Sequence, residues 1–362
     1  MKTLKLRIKD KHAKVLTQLA SEANFVWNYV NDLSYKHLQR TGKFFSAFDI
    51  AAYTKGASKS GLNLHSQTIQ AITEELVTRR KQFKKAKLNW RVSNPKSARR
   101  SLGWIPFKAS GIQHQNGQVK YAGHFFSLWD SYGIKTHKVK TGSFVQDSRG
   151  RWYVCLVVDG STLITNRTPE PTQATESKTP VGIDLGLKDF ATLSNGEKIE
   201  AHRTYRKYEQ KLSIAQRAKQ KQRAKSIHAK IKNIRSDFLH KLSRQLVDDH
   251  AAIFIGNVNA ATLAKTKLAK SVLDAGWSAF RTMLKYKSQQ AGVWFEEVNE
   301  AYTTQTCSCC GSRRDSPKGR AGLGIREWTC QPCGTLHDRD VNAAKNILAA
   351  GHCRLAVGIP VL

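Results

Sequence analysis

The chain is short of negative charge. Its 27 acidic residues stand against 60 lysines and arginines, a net charge of +33. That excess goes beyond the needs of solubility and calls for a polyanionic partner. The basic residues run along most of the chain, which suits a long nucleic-acid footprint better than one docking patch. No stretch approaches the roughly 18 apolar residues of a membrane span, and the opening MKTLKLRIKD lacks the apolar run of a signal peptide. A soluble, cytoplasmic, nucleoid-associated protein with no membrane partner is expected. There is no even-numbered cysteine framework: of seven cysteines, four form two CxxC pairs and Cys155, Cys309 and Cys353 are left over. That pattern favours metal in a reducing compartment over disulfides. No internal repeat is visible, and no Tyr or Ser constellation for covalent DNA joining, which ranks a strand-transferring transposase last.

What is present is enough for two or three domains: 362 residues with 40% hydrophobic content. KTLKLRIK (2–9) alternates as a half-buried strand with a basic outer face. Lys11 to Gln39 turns helical, with Leu16, Leu19, Ala23, Val26 and Val30 near 3.6 spacing. A second helix is expected over Ser66 to Leu88, its basic end (Arg79, Arg80, Lys81, Lys84, Lys85, Lys87) serving as a phosphate-tracking edge. From Ser101 to Leu163 the period is two, with a hairpin turn at Asp147–Gly150, as in a small β-barrel that strand 2–9 joins. Its aromatic residues, Trp104, Phe107, Tyr121, Phe125, Phe126, Trp129 and Tyr132, are candidates for base stacking, although each fits barrel core as well. The Thr-, Ser- and Pro-rich stretch that follows Leu163 reads as a linker over 164–180. Beyond it come two hairpin strands in VGIDLGLKDFATLSNGEKIE (181–200), then basic helices over Arg203 to Val247. A strand (Ala251 to Val258), a helix (Trp277 to Gln290), a strand (Gly292 to Val298) and a last helix (Val341 to Ala350) complete an RNase H-like α/β order.

Two sites carry chemistry. Cys307-x2-Cys310 and Cys330-x2-Cys333, each followed by glycine, have the spacing of a closed four-thiolate zinc site, structural because no position is left for water. Asp184, near the end of an apolar strand, is a carboxylate that needs a reason to be buried, and metal coordination is one. Asp340, opening the last helix, is its natural partner, with Asp338 the neighbouring alternative. Two Mg²⁺ ions held by such carboxylates would cleave a phosphodiester, and two aspartates are too few to hold them, so a third acidic residue is expected.

GIDLGLKDFATLSNG, IRSDFLHKLSRQLV, SVLDAGWSAFRTMLKYK, YTTQTCSCCG and DRDVNAAKNIL resemble the transposon-encoded TnpB (OrfB) family, relatives of the type V CRISPR effectors. The resemblance covers roughly Val181 to Ala350; the N-terminal half matches only in layout. It implies an α+β multidomain protein: a wedge-like β-barrel (1–10 and 101–163) with an inserted helical recognition domain (11–100), then a RuvC-like nuclease domain (181–306 and 334–362) interrupted by a zinc ribbon (307–333). It implies RNA-guided, Mg²⁺-dependent cleavage of double-stranded target DNA, directed by guide RNA transcribed from the transposon end, by a monomer. Asp184 and Asp340 become the first and last catalytic carboxylates, and Arg326 an arginine at the scissile phosphate. Phosphate contacts would come from Arg203, Arg206, Lys207, Arg217, Lys221, Arg223 and Arg235 of the basic helices, and from Lys265, Lys267 and Lys270 beyond the fourth strand.

One departure matters. Where the family carries Glu at the end of the fourth strand, this chain reads IFIGNVN, with Gly256 and Asn257 in place of the acidic pair. Either the nuclease is inactive, leaving an RNA-guided binder or accessory transposon protein, or the carboxylate has moved. The neighbouring strand offers Glu296, Glu297 and Glu300, and Asp274 lies between. Adjacent strands are ~4.8 Å apart, so Glu300, just past the strand end, is expected to reach the space that Gly256 leaves.

Overall fold

The computed structural model describes residues 2–130, 133–159, 178–314, 316–318 and 321–357. The chain divides into two compact units, Met1–Pro171 and Thr172–Leu362. The expected linker lies outside the described residues except for 178–180, as does Tyr132.

In the first unit, β1 (Lys2–Arg7) turns Leu4 and Leu6 inward. Helix α1 (Ala13–Thr41) buries Leu16, Leu19, Ala23, Val26 and Val30 and stops at left-handed Gly42. Helix α2 (Ala47–Thr54) starts on a reciprocal capping box between Ser46 and Asp49. Helix α3 (Ser66–Phe83) is shorter than its pattern predicts: Lys84 turns left-handed and its amide donates back to the Arg80 and Lys81 carbonyls. The strands β2 (Trp104–Lys108), β3 (Ile112–Gln115), β4 (Gln118–Tyr121), β5 (His124–Ser127), β6 (Val139–Gln146) and β7 (Trp152–Val158) follow. They form two antiparallel sheets, β1-β7-β6-β2 and β3-β4-β5, linked by a bridge between Ile8 and Leu128. The helices thus sit between β1 and its sheet partners. The period of two is interrupted before β6, where left-handed Gly133 and the Asp130 carboxylate, accepting the Ile134 amide at 2.9 Å, start a short 3-10 turn. Phe107, Tyr121 and Phe126 pack around Phe144 in the core, whereas Phe125 and Trp129 are exposed.

The second unit is built on a five-stranded sheet. Its elements are β8 (Val181–Leu185), β9 (Asp189–Leu193), β10 (Lys198–Glu200), α4 (Thr204–Arg217), α5 (Lys221–Asp249), β11 (Ala252–Gly256), α6 (Ala260–Leu263), α7 (Ala269–Ala275), α8 (Trp277–Ala291), β12 (Trp294–Val298), β13 (Glu327–Thr329), β14 (Leu336–Asp338) and α9 (Arg339–Val357). The sheet order is β10-β9-β8-β11-β12: the first three strands are antiparallel, and β11 runs parallel to both β8 and β12. Near-continuous apolar burial in β8 and β11 reflects cover on both faces. Helix α9 lies so close to β8 that a Cβ on Gly182 would collide with the Ala344 carbonyl and Leu348. Among the described residues no helix is long and apolar enough to cross a membrane.

Candidate metal centres and catalytic cleft

The four cysteines converge. Sγ of Cys307 lies 3.6 Å from Sγ of Cys333, and Cys310 the same distance from Cys330. A tetrahedral zinc with ~2.3 Å bonds to sulfur places thiolates about 3.8 Å apart, so the donor set fits that ion. The two knuckles repeat one backbone pattern: Cys307 N donates to Ser312 O and Gly311 N to Cys307 O, as Cys330 N does to Thr335 O and Gly334 N to Cys330 O. Gly311 and Gly334 have φ of +73° and +70°, which is why glycine stands there. Trp328 packs against His337, whose Nε2 is 3.0 Å from Cys307 Sγ. Among the described residues these thiolates are the only set of three or more possible ligands whose atoms all lie within 4.8 Å of one another.

The second site is a cavity of about 340 Å³ at the carboxyl ends of β8 and β11, lined by Asp184, Thr192, Glu300, Thr303, Arg326 and Asp340 among others. Asp184 enters from β8. Burial, with the Asp340 and Glu300 carboxylates close by, raises its carboxyl to about 8, against a smaller opposing effect of Arg339. Glu300 enters from the turn after β12. A Cβ on Gly256 would stand 2.5 Å from Glu300 Oε2, so the carboxylate fills the space above the missing side chain. Burial raises its pKa too, opposed by Arg281 and by a hydrogen bond from the Val258 backbone. Asp340 enters from the first turn of α9, and Arg326 Nη1 pairs with it at 3.0 Å. That pair exists because β13 and β14 form a hairpin with Glu327 opposite Asp338, bringing the residues that flank it together.

The alternatives separate. Asp338 caps α9, accepting the Asp340 and Val341 amides, and pairs with Lys198 at 2.5 Å, so it is engaged outside the cavity. Glu296 is buried on β12, and Glu297 pairs with Arg281 at 3.1 Å. Asp274 caps α4 through the Tyr205 amide. The carboxylate oxygens are not drawn within one coordination sphere as the thiolates are. Asp184, raised by burial and by the neighbouring Asp340 and Glu300 carboxylates, nonetheless forms with them a donor set suited to divalent cations with oxygen preference.

What three asparagines hold is not legible in the sequence. Asn257 Oδ1 accepts the Glu300 amide at 3.3 Å, while Asn257 N donates to Val298 O at 2.9 Å. Asn342 and Asn346, one helical turn apart on α9, both donate to the carbonyls of Thr303 and Thr306, and Asn342 accepts the Ser308 amide at 2.8 Å. They clamp the turn that carries Glu300 into the first knuckle. The signal was the i,i+4 spacing of asparagines in DVNAAKN.

The expected phosphate contacts scatter. Arg80 is a correction: its guanidinium is buried, donating to Ser34 Oγ and Phe45 O under the Phe44 ring, so it cements the helices. Arg79 pairs with Glu75, and Lys84 is exposed at the end of α3. Lys207, Arg217, Lys221, Arg223, Lys265 and Lys267 are exposed. Arg203, Arg206, Arg235 and Lys270 line a separate cavity.

Fold and site define a mixed α/β protein with a four-cysteine cluster that fits zinc and a carboxylate cleft. Residues 163–267 match the OrfB_IS605 family model, described as "Probable transposase", and residues 277–347 match "Cas12f1-like, TNB domain". A protein of Streptomyces pristinaespiralis named "Putative RNA-guided DNA endonuclease" is 34% identical over 280 residues, 73% of this chain and 66% of its own. "Putative RNA-guided DNA endonuclease InsQ" of Escherichia coli K12 is 32% identical over 242 residues, 59% of this chain and 57% of its own. "CRISPR-associated endodeoxyribonuclease Cas12f1" of Sulfoacidibacillus thermotolerans is 31% identical over 120 residues, 33% of this chain and 28% of its own. The chain belongs to the TnpB/OrfB family of transposon-encoded proteins related to the type V effectors. Its matched part spans no more than about two thirds of these relatives.

Proposed function

We propose that the protein is an RNA-guided DNA endonuclease of a mobile element, with an RNase H-like (RuvC) nuclease unit and, in the first unit, a wedge-like β fold carrying a helical recognition insert. The observation that carries this reading is the meeting of Asp184, Glu300, Asp340 and Arg326 around one cavity. The names of the relatives support it, and the net charge of +33 supports nucleic-acid partners. The guide is an RNA from the transposon end, the target double-stranded DNA, the working unit a monomer, and the compartment the cytoplasm.

Asp184, Glu300 and Asp340 would hold Mg²⁺, and the four cysteines zinc. Bound Mg²⁺ supplies charge neutralisation and Lewis-acid stabilisation at the scissile phosphate. The residues do the rest. Asp184, its proton held on by burial and by the neighbouring Asp340 and Glu300 carboxylates, would have to be deprotonated to serve as one of these ligands. Arg326, paired with Asp340 at 3.0 Å, stands at the cavity where its guanidinium would donate to a phosphate oxygen. Asn257 and the Val258 amide hold Glu300 against Gly256, so the carboxylate arrives on a fixed backbone rather than a loose loop. The ribbon hairpin positions Arg326, and the zinc site takes no part in the chemistry.

The test is cleavage of a matched duplex by the full chain with RNA transcribed from the transposon end. Cutting that needs Mg²⁺ and falls about a hundredfold to a thousandfold in Asp184→Asn, as losing a key electrostatic group does, supports the reading. Tight guided binding with no cutting by the wild type would replace it with the nuclease-inactive binder.

A further inference from the structure

A second cavity, of about 260 Å³, lies behind the catalytic cleft and shares only Gly186 and Leu187 with it. Its walls come from β9, α4, α5 and α7. One carboxylate faces it. The Asp274 side chain is only 7% exposed, and the residue lines the cavity. Its Oδ2 accepts the Tyr205 amide at 2.8 Å, while its Oδ1 is buried with no hydrogen-bond partner. The nearest cation, Arg235 Nη1, stands 3.8 Å away and is already donating to the Leu273 carbonyl at 2.9 Å. A buried acceptor left unsatisfied is costly, and a carboxylate more so, so this one is built to receive a donor.

The surroundings say what kind. Phe190 and Phe238 form an aromatic wall, with the His202 ring edge-on to Phe238 at 5.0 Å. Arg203 and Arg206 are exposed lining residues, and among the described residues neither is in an ion pair, although Arg206 lies within the field of Glu209; Arg203 donates to the Lys188 carbonyl at 3.5 Å and Arg206 to Ser271 Oγ at 3.3 Å. Lys270 is neutralised by Glu209 at 2.7 Å. Aromatic surface, one inward acceptor and two outward guanidiniums are complementary to a base with an N–H edge and a flanking phosphate. The volume is at the small end of ligand pockets and admits one base, not a stacked pair.

We propose that this cavity takes one unstacked nucleotide of a bound strand, its base donating an N–H to Asp274 Oδ1 and its phosphate meeting Arg203 and Arg206. Every base has such a donor, so the pocket tolerates sequence. The pocket itself follows from its own residues, and only the origin of the nucleotide in a strand rests on the proposed nuclease reading.

Titrating the full chain with AMP and with ribose 5-phosphate tests the pocket without any cleavage step. The wild type should bind AMP about tenfold more tightly, the scale of one hydrogen bond to a charged group. Asp274→Asn retains an oxygen to cap Tyr205 but turns the free acceptor into a donor, and it should erase that difference. Ala275→Phe, which fills the cavity without touching a charge, should erase it too, with melting curves reporting the fold of both. Equal binding of the two compounds by the wild type, or an unchanged AMP preference in both variants, overturns the pocket. A single-stranded oligonucleotide carrying 2-aminopurine separates the sources. Its fluorescence should rise on binding the wild type and not on binding Ala275→Phe; an AMP preference without that rise overturns the assignment to a strand.

Discussion

At the scale of single residues, the cleft is a problem of like charge. Asp184 is held near pKa 8 by burial and by two carboxylates, and Glu300 is raised as well. A folded-state pKa above the unfolded value means that the native chain binds more protons through the interval between them, so stability falls as pH rises across it. Without Mg²⁺, melting temperature should therefore decline from about pH 4 to about pH 8 through these two groups. Asp184→Asn should flatten that decline and melt higher than wild type at pH 8. Added Mg²⁺ should stabilise the wild type more at pH 8 than at pH 5. A melting temperature in Asp184→Asn that tracks wild type at every pH would remove the coupling. Much of this was legible in the residues. Asp184 stands out as a charge on an apolar strand, and Gly256-Asn257 as a gap where an acid is expected. What residues alone could not give was the direction of Arg80, because an arginine in a run of basic residues carries no mark of facing Ser34 rather than solvent.

At the scale of elements, the link between the cysteine knuckles and the cleft is the turn at 300–306. Thr303 holds the Glu300 carbonyl through both its amide and its hydroxyl, and Asn342 and Asn346 hold the carbonyls of Thr303 and Thr306. Asn342→Ala leaves the Ser308 amide without that partner, at a cost of about 1–3 kcal/mol. Urea denaturation should show a loss of that size, and a chromogenic chelator should extract zinc from the variant faster than from wild type. Zinc release at the wild-type rate would mean that the clamp and the knuckle are independent. The knuckles were readable from spacing because tetrahedral thiolate geometry demands it. The clamp was not, because its partners are backbone carbonyls about 40 residues away (Thr303 and Thr306 against Asn342 and Asn346). Helix α2 shows the opposite case: Ser46 and Asp49 spell a capping box in the sequence, yet the helix it starts has only 8 residues and one buried side chain, too little periodicity to register.

At the scale of the whole molecule, charge dominates. On the proposed reading, a chain of +33 with exposed cations on α3, α4, α5 and the α6–α7 turn would bind nucleic acid largely by displacing counterions. Affinity for a nucleic acid should fall steeply with salt, with a slope of log K against log salt of about −5 or steeper if six or more phosphates are engaged. Replacing the buried Arg80 should lower stability without changing that slope, whereas Lys207→Ala with Arg217→Ala should make it shallower. A slope near zero would contradict a polyanion-binding surface.

Whether Glu300 supplies the carboxylate missing at Gly256 is decided by guided cleavage rates for the wild type, Glu300→Ala and the double variant Gly256→Glu/Glu300→Ala. Loss of cutting in the single variant and recovery in the double variant, where the carboxylate returns to the end of β11, is the predicted result. Unchanged cutting by Glu300→Ala would contradict it.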